Sequence, residues 1–105
     1  MNKYGAVKTQ VDGITFDSKH EAEIYCELKL MQRAGIIRDL ERQVKYELIP
    51  KTDLYRATVY IADFRYYDNE TKKTVVADAK GVRTKDYLLK KKLMYWRHGI
   101  EIKEV

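Results

Sequence analysis

Apolar residues recur at helical spacing in the first third of the chain: Ile24, Tyr25, Leu28 and Met31. Ser18 followed three positions later by Glu21 forms a capping box, and Gly35 is typical of a position just past a helix end. The pattern therefore predicts a helix between Ser18 and Gly35. The preceding residues 1–16 are polar with a turn signal at Gly13, which indicates an arm or a short hairpin.

Three strands are predicted after this helix. Residues 43–49 alternate polar and apolar side chains until Pro50 stops the run, and residues 59–67 are rich in β-branched and aromatic side chains. Residues 74–80 form the third strand. The turn-forming residues 68–71 join the second and third strands, which are therefore expected to be antiparallel neighbours.

A second helix and a short last strand complete the predicted elements. Thr84 is the expected cap, the helix runs to about His98, Gly99 stops it, and residues 100–105 read as a strand. One stripe of this helix is expected to pack on the sheet: Leu89, Leu93 and Trp96. The order helix, three strands, helix, strand predicts one α/β domain of the α+β kind over residues 1–105, with a mixed sheet flanked by helices.

Composition narrows the classes of function only slightly. The 105 residues carry a net charge of +5, which favours a polyanionic partner but is a weak signal alone. The single cysteine, Cys26, cannot form an internal disulfide, and no apolar run approaches the roughly 20 residues of a membrane span. A cytoplasmic protein without a membrane segment is expected.

Two aspartates break the apolar pattern of neighbouring strands. Asp63 shares a strand face with Ile61, and Asp78 shares a face with Val76 and Lys80. Burying a lone carboxylate is costly, so a metal ion or the Lys80 ammonium is expected to compensate the charge. Because Mg²⁺ prefers few carboxylates together with water and phosphate oxygens, two facing aspartates suit it. The alternative interpretation is a structural ion pair.

A third acid lies in the first helix. Glu21 falls in the middle of the apolar stripe, where it would face the sheet and the two aspartates. The alternative is that its side chain curls back to the Ser18 amide as the second half of the capping box. Both interpretations can hold together.

Basic residues line the second helix, among them Lys85, Lys90 and Arg97. Lys90 and Arg97 lie on one flank of the predicted stripe, where they could hold phosphates. The alternative is a solvated helix face with basic residues favoured near the C-terminus. Tyrosines are frequent, and they either stack on unpaired bases or pack in the core and at its rim.

The acids occur in sequence blocks that resemble the PD-(D/E)XK nuclease superfamily. Glu21 lies in FDSKHEAE, Asp63 in YIADF, and Asp78 with Lys80 in VVADAKG, before the basic helix TKDYLLKKKL. The predicted αβββαβ order is similar to the restriction-endonuclease-like core of that superfamily and covers almost the whole chain. Small phage-encoded endonuclease-like or resolvase-like members are the nearest resemblance. Ala62 stands where a proline often precedes the first aspartate.

The resemblance implies a metal-dependent endodeoxyribonuclease that uses Mg²⁺ or Mn²⁺. Asp63, Asp78 and the Ala79 carbonyl would ligate the metal, and Glu21 would act through a water or a second ion. Lys80 would orient the attacking water and stabilise the transition state. The chain leaves no room for an appended recognition domain, so structure-selective cutting of branched or junction DNA is expected.

The same resemblance implies contacts and a setting. Lys90, Arg97, Lys85 and Gln43 would contact DNA or place site groups, and two cuts on opposing strands favour a homodimer. If the gene is phage-encoded, the compartment is the host cell cytoplasm. The competing hypothesis is a non-catalytic DNA-binding or assembly module that retains the nuclease core, and an RNA-processing factor is a third.

Overall fold

A computed structural model describes residues 8–79 and 83–105 of the chain. Its elements, in chain order, are β1 (Thr9–Val11), β2 (Ile14–Phe16), α1 (Lys19–Arg33), β3 (Ile37–Ile49), β4 (Thr58–Asp68), β5 (Lys73–Asp78), α2 (Lys85–His98) and β6 (Lys103–Glu104). The predicted αβββαβ order is confirmed, and the N-terminal segment contributes a short hairpin in front of it.

The main sheet is mixed. Its strand order is β3-β4-β5-β6, in which β3, β4 and β5 are mutually antiparallel and β6 is parallel to β5. The tight turn after β4 makes the β4–β5 hairpin antiparallel, whereas α2 carries the chain back so that β6 runs alongside β5. β1 and β2 form a separate two-stranded sheet.

The predicted helix caps are confirmed. The Ser18 Oγ accepts a hydrogen bond from the Glu21 amide at 3.1 Å, and the Thr84 Oγ1 accepts one from the Tyr87 amide at 3.1 Å. Gly99 ends α2 in the left-handed conformation with φ of 68°, which glycine adopts without a side-chain penalty.

β3 begins at Ile37, six residues earlier than predicted. Its pairing with β4 shifts register between Arg38 and Glu41, where Asp39 has a left-handed φ of 54°. Gln43 also has a left-handed φ, of 52°, but the register does not change there. A bulge inserts one extra residue into a strand and changes which side chains share a face. Ile37 and Leu40 therefore lie out of step with a period of two, and the half-buried position 42 holds an arginine, so the sequence pattern was visible only from residue 43.

Two hydrophobic clusters form the core. The cluster beneath α1 consists of Phe16, Ala22, Tyr25, Leu28, Ile37, Phe64, Tyr66 and Ala77. The cluster beneath α2 consists of Leu48, Tyr60, Ala62, Val76, Tyr87, Met94 and Ile102. β4 contributes to both, and its buried residues change from one cluster to the other at Asp63, between Ala62 and Phe64.

The expected aliphatic face of β4 was wrong in one respect. The deeply buried side chains occupy the even positions from Tyr60 to Tyr66, whereas Ile61 is 46% exposed. Asp63 is half-buried on the more open side of the strand. The acid therefore borders the core instead of replacing a residue in its centre.

The predicted packing stripe of α2 was wrong for Leu89 and Trp96, whereas Leu93 packs against the core as expected. Tyr87 and Met94 are the buried residues of this helix, while Leu89 is 54% and Trp96 is 76% exposed. Tyr87 satisfies its polar end by donating its hydroxyl to Glu104 Oε2 at 2.8 Å. Within the described residues, neither helix has the length and apolar character needed to cross a membrane.

Candidate functional site

Three carboxylates from three different elements meet at one end of the β4–β5 hairpin. Glu21 lies in the first turn of α1, Asp63 in β4, and Asp78 is the last residue of β5. Asp78 is fully buried and Glu21 is 6% exposed. Asp63 is close enough to both for the two neighbouring carboxylates to contribute to its raised pKa.

The pairing of the strands explains this meeting. Phe64 pairs with Ala77, and the next residue along each strand is Asp63 on β4 and Asp78 on β5. On its other side, Asp78 pairs with Glu104 of β6. Asp78 is fully buried, on a strand that has a neighbour on each side.

Specific hydrogen bonds fix the two aspartates. The Asp63 Oδ2 accepts a hydrogen bond from the Ala79 amide at 2.9 Å. The Asp78 Oδ2 accepts one from the Tyr60 hydroxyl. Tyr60 is 4% exposed, and burial followed by the neighbouring Asp78 raises the pKa of its hydroxyl, so it stays protonated as the donor.

The side chain of Glu21 follows one of the two arrangements that its sequence position suggested. Its amide makes the Ser18 cap, while its carboxylate lies with Asp63 and 3.8 Å from the Arg42 Nη2. The other half of the capping box would need that carboxylate at the Ser18 amide. The structure instead directs it toward the two aspartates.

The electrostatics of the cluster are those of crowded, buried carboxylates. Burial, then Asp78 and then Glu21 raise the pKa of Asp63 to about 8. Burial and Asp17 raise the pKa of Glu21, while Arg42 opposes the rise. One carboxyl of the cluster therefore keeps its proton at neutral pH, and a bound cation would displace that proton.

Sequence reasoning missed Arg42, a cation of the site. Its guanidinium lies 4.5 Å from the centre of the Phe16 ring, and its Nε is buried without a hydrogen-bond partner among the described residues. The residue lies on the part of β3 before Gln43 that was expected to be irregular. A continuous strand would have placed it opposite Phe64, near Glu21.

The donor set suits a hard divalent cation. Within residues 8–79 and 83–105, no group of three or more His, Cys, Asp or Glu side chains is arranged to hold a metal ion. Asp63 and Asp78 stay the predicted carboxylate ligands, and Mg²⁺ characteristically takes one or two carboxylates plus waters and phosphate oxygens. The all-oxygen chemistry of these side chains fits that ion.

Two further predicted site residues follow β5. Ala79 is half-buried, and its amide holds Asp63, while its carbonyl stays a predicted metal ligand. Lys80 lies outside the described residues, so its role also stays a prediction.

Comparison with known proteins assigns the chain to a family. A family described as "Protein of unknown function (DUF1064)" matches residues 1–104. The chain belongs to the DUF1064 family. Searches of the curated proteins and of the solved structures found no match.

The predicted DNA contacts of this DUF1064 member lie at different distances from the acids. Lys90 borders a cleft of about 320 Å³ between β4 and α2 whose wall includes Tyr60, the partner of Asp78. Arg97 lies two turns further along α2, where its Nη2 is 3.5 Å from the Glu47 Oε1. Of the two, Lys90 is therefore adjacent to the candidate site.

The remaining predicted contacts of the DUF1064 chain are exposed. Lys85 is the first residue of α2, and Gln43 occupies the left-handed position of β3 between Arg42 and Val44. Arg42 pairs with Phe64 and Val44 pairs with Ala62, so Gln43 is the neighbour of Asp63 on the adjacent strand. A larger cleft of about 800 Å³ lies over β5 and the start of β6, away from the acids.

Proposed function

We propose that this protein is a metal-dependent endonuclease that hydrolyses phosphodiester bonds of DNA. One observation carries the proposal: the carboxylates of Glu21 and Asp78, both buried, and of Asp63, half-buried, lie together although they come from α1, β4 and β5. Crowding carboxylates away from water is costly, and a bound divalent cation would offset that cost. The αβββαβ order and the resemblance to PD-(D/E)XK nucleases support the same interpretation.

The residues divide the work of hydrolysis between them. Asp63 and Asp78 would hold Mg²⁺ or Mn²⁺, with the Ala79 carbonyl as a further ligand, and Glu21 would act through a water or a second ion. Such an ion would supply Lewis acidity at the scissile phosphate and lower the pKa of water. Lys80 would orient the attacking water and stabilise charge on the phosphorus oxygens.

Groups around the acids orient them, offset their charge and would contact the DNA backbone. Tyr60 fixes the orientation of Asp78, and Arg42 offsets the negative charge of Glu21. Lys90 presents its ammonium at the edge of the cleft beside Tyr60, where the sugar–phosphate backbone would lie. The net charge of +5 draws the polyanion toward this surface.

The substrate proposed is branched or junction DNA, cut by a homodimer. The shape of a junction can be recognised through contacts to its sugar–phosphate backbone, which lysines of α2 would supply. Two sites related by a two-fold axis would place cuts on opposing strands.

The test is a cleavage panel. End-labelled four-way junction, flap, linear duplex and single-stranded RNA are incubated with the protein while Mg²⁺ or Mn²⁺ is titrated, with a chelator as control. The expected result is metal-dependent product from the junction or flap, with 5′-phosphate and 3′-hydroxyl ends. Binding without product on every substrate would overturn the enzyme proposal in favour of a non-catalytic module, and product from RNA alone would overturn the DNA assignment.

A further inference from the structure

The side of α2 that faces away from the core is unusually apolar. Its residues recur at helical spacing opposite Tyr87 and Met94: Lys85, Leu88, Leu89, Lys92, Tyr95 and Trp96. We refer to these six residues as the outer face of α2. Trp96 is 76% exposed and Tyr95 is 63% exposed.

This outer face differs from an ordinary solvated helix surface. Single exposed apolar residues are normal, but four large ones on one side of a helix form a contiguous patch of the kind that marks a binding surface. The inner side of α2 already has its partner in the cluster around Met94. The outer face therefore requires an occupant other than the core of its own chain.

The composition of the patch indicates which occupant it fits. Two flat aromatic rings share this face with two exposed lysines, Lys92 in the preceding turn and Lys85 at the start of the helix, and none of the six residues is acidic. Among the described parts of the chain, neither Lys85 nor Lys92 forms an ion pair. A second copy packed on this face in a two-fold manner would bring four lysines together without a carboxylate between them.

We propose that the outer face of α2 binds a single strand of nucleic acid, with unpaired bases stacked on Tyr95 and Trp96. Aromatic rings stack on any base whose face is not already covered in a duplex, and lysines track the accompanying phosphates. The ammonium groups of Lys85 and Lys92 supply that second contact.

The position of α2 relates this surface to the acids. The helix begins beside the cleft that Tyr60 and Lys90 line, and its outer face runs from Lys85 to Trp96, eleven residues or about 16.5 Å along the axis. That length corresponds to about five stacked nucleotides. Resting on the proposed nuclease function, this assigns the outer face to the unpaired arm of a flap or branched substrate.

The chain offers a direct probe, because Trp96 is its single tryptophan. A 12-nucleotide single strand of thymidine is titrated into the protein in chelator, without metal, while tryptophan emission and its quenching by acrylamide are recorded. Stacking should quench the emission and protect the ring from acrylamide. A blunt duplex of the same length should bind at least five-fold more weakly, as judged by the concentration needed for half-maximal quenching.

A matched pair of substitutions locates the binding. Tyr95→Leu should weaken binding of the labelled single strand, followed by anisotropy, about five-fold or more, because each base–aromatic stack is lost outright. Tyr55 lies in the loop before β4 and is 74% exposed. Tyr55→Leu therefore removes an exposed tyrosine outside the outer face of α2 and should leave the affinity unchanged.

Three outcomes would overturn the proposal. One is unchanged emission while anisotropy reports binding, and another is equal weakening by both tyrosine variants. The third is a shift of emission with protein concentration alone, accompanied by a dimer in sedimentation, which would assign the face to a second copy. Because no arm uses metal or cleavage, these failures are distinct from failure of the nuclease proposal.

Discussion

The acid cluster should make the metal-free protein less stable as the pH rises, and Asp63→Asn should remove most of this effect. Asp63 has a pKa of about 8 in the folded protein, against an ordinary value of 3.8. Between these two values the folded state holds a proton that the unfolded state has released. Stability is therefore greatest at low pH, falls as the pH rises through this window, and levels off above about pH 8.

The magnitude follows from proton linkage. Where the folded state binds one more proton than the unfolded state, the free energy of unfolding falls by about 1.4 kcal/mol per pH unit. Between pH 5 and pH 7 this amounts to about 3 kcal/mol. Asparagine has nearly the same shape and does not ionise. The difference in stability between wild type and Asp63→Asn should therefore change by that amount over the same range, in favour of the variant at high pH.

Urea denaturation in chelator at pH 5, 6 and 7 measures this difference. Glu27→Gln, which removes an exposed carboxylate from the same helix as Glu21, is the control and should give a profile parallel to wild type. Parallel profiles for wild type and Asp63→Asn would refute the reasoning, because they would mean that Asp63 is not held protonated by burial and its neighbours.

Other substitutions test the packing and the hydrogen bonds around the site. Tyr60→Phe should lower stability by about 1.5–3 kcal/mol, because the buried Asp78 loses its donor, and should raise the Mg²⁺ concentration needed for half-maximal cleavage. Met94→Ala should lower the free energy of unfolding, measured in urea, by about 2–5 kcal/mol because Met94 is fully buried. Trp96→Ala should change it by less than about 0.5 kcal/mol because Trp96 is exposed. The reverse order would support the packing stripe first predicted for α2. Gly99→Ala should lower the free energy of unfolding by about 1 kcal/mol and so lower the thermal midpoint. No atom lies within 4 Å of the added Cβ, but the left-handed φ of 68° is strained for any residue with a side chain.

The sequence contained enough local information to predict the helices and the hairpin. Ser18, Thr84 and Gly99 act within one turn of their own positions, so their roles could be read from neighbouring residues. The start of β3 could not, because the bulge between Arg38 and Glu41 depends on pairing with a strand that lies later in the chain.

The face of α2 shows a different limit of sequence reasoning. Both sides of this helix carry large apolar residues, so periodicity alone did not identify the side that packs on the sheet. The structure resolves the choice through tertiary contacts, since Met94 fits the cluster with Leu48 and Ile102. The same ambiguity left the outer face of α2 unrecognised as a separate surface.

The acid site was predicted in part. Matched positions on a hairpin brought Asp63 and Asp78 together, and the helix stripe directed Glu21 toward them. The partners Tyr60 and Arg42 were missed because their roles depend on long-range packing and on the unpredicted start of β3.

The central claim is that these carboxylates form a metal-dependent cutting site, and single-turnover cleavage by Asp78→Ala tests it most directly. Wild type and variant are compared on the preferred labelled substrate at matched Mg²⁺, with circular dichroism confirming that both are folded and anisotropy confirming that both bind DNA. The account predicts metal-dependent product from wild type and none above background from the variant. Cleavage by Asp78→Ala at the wild-type rate would contradict it.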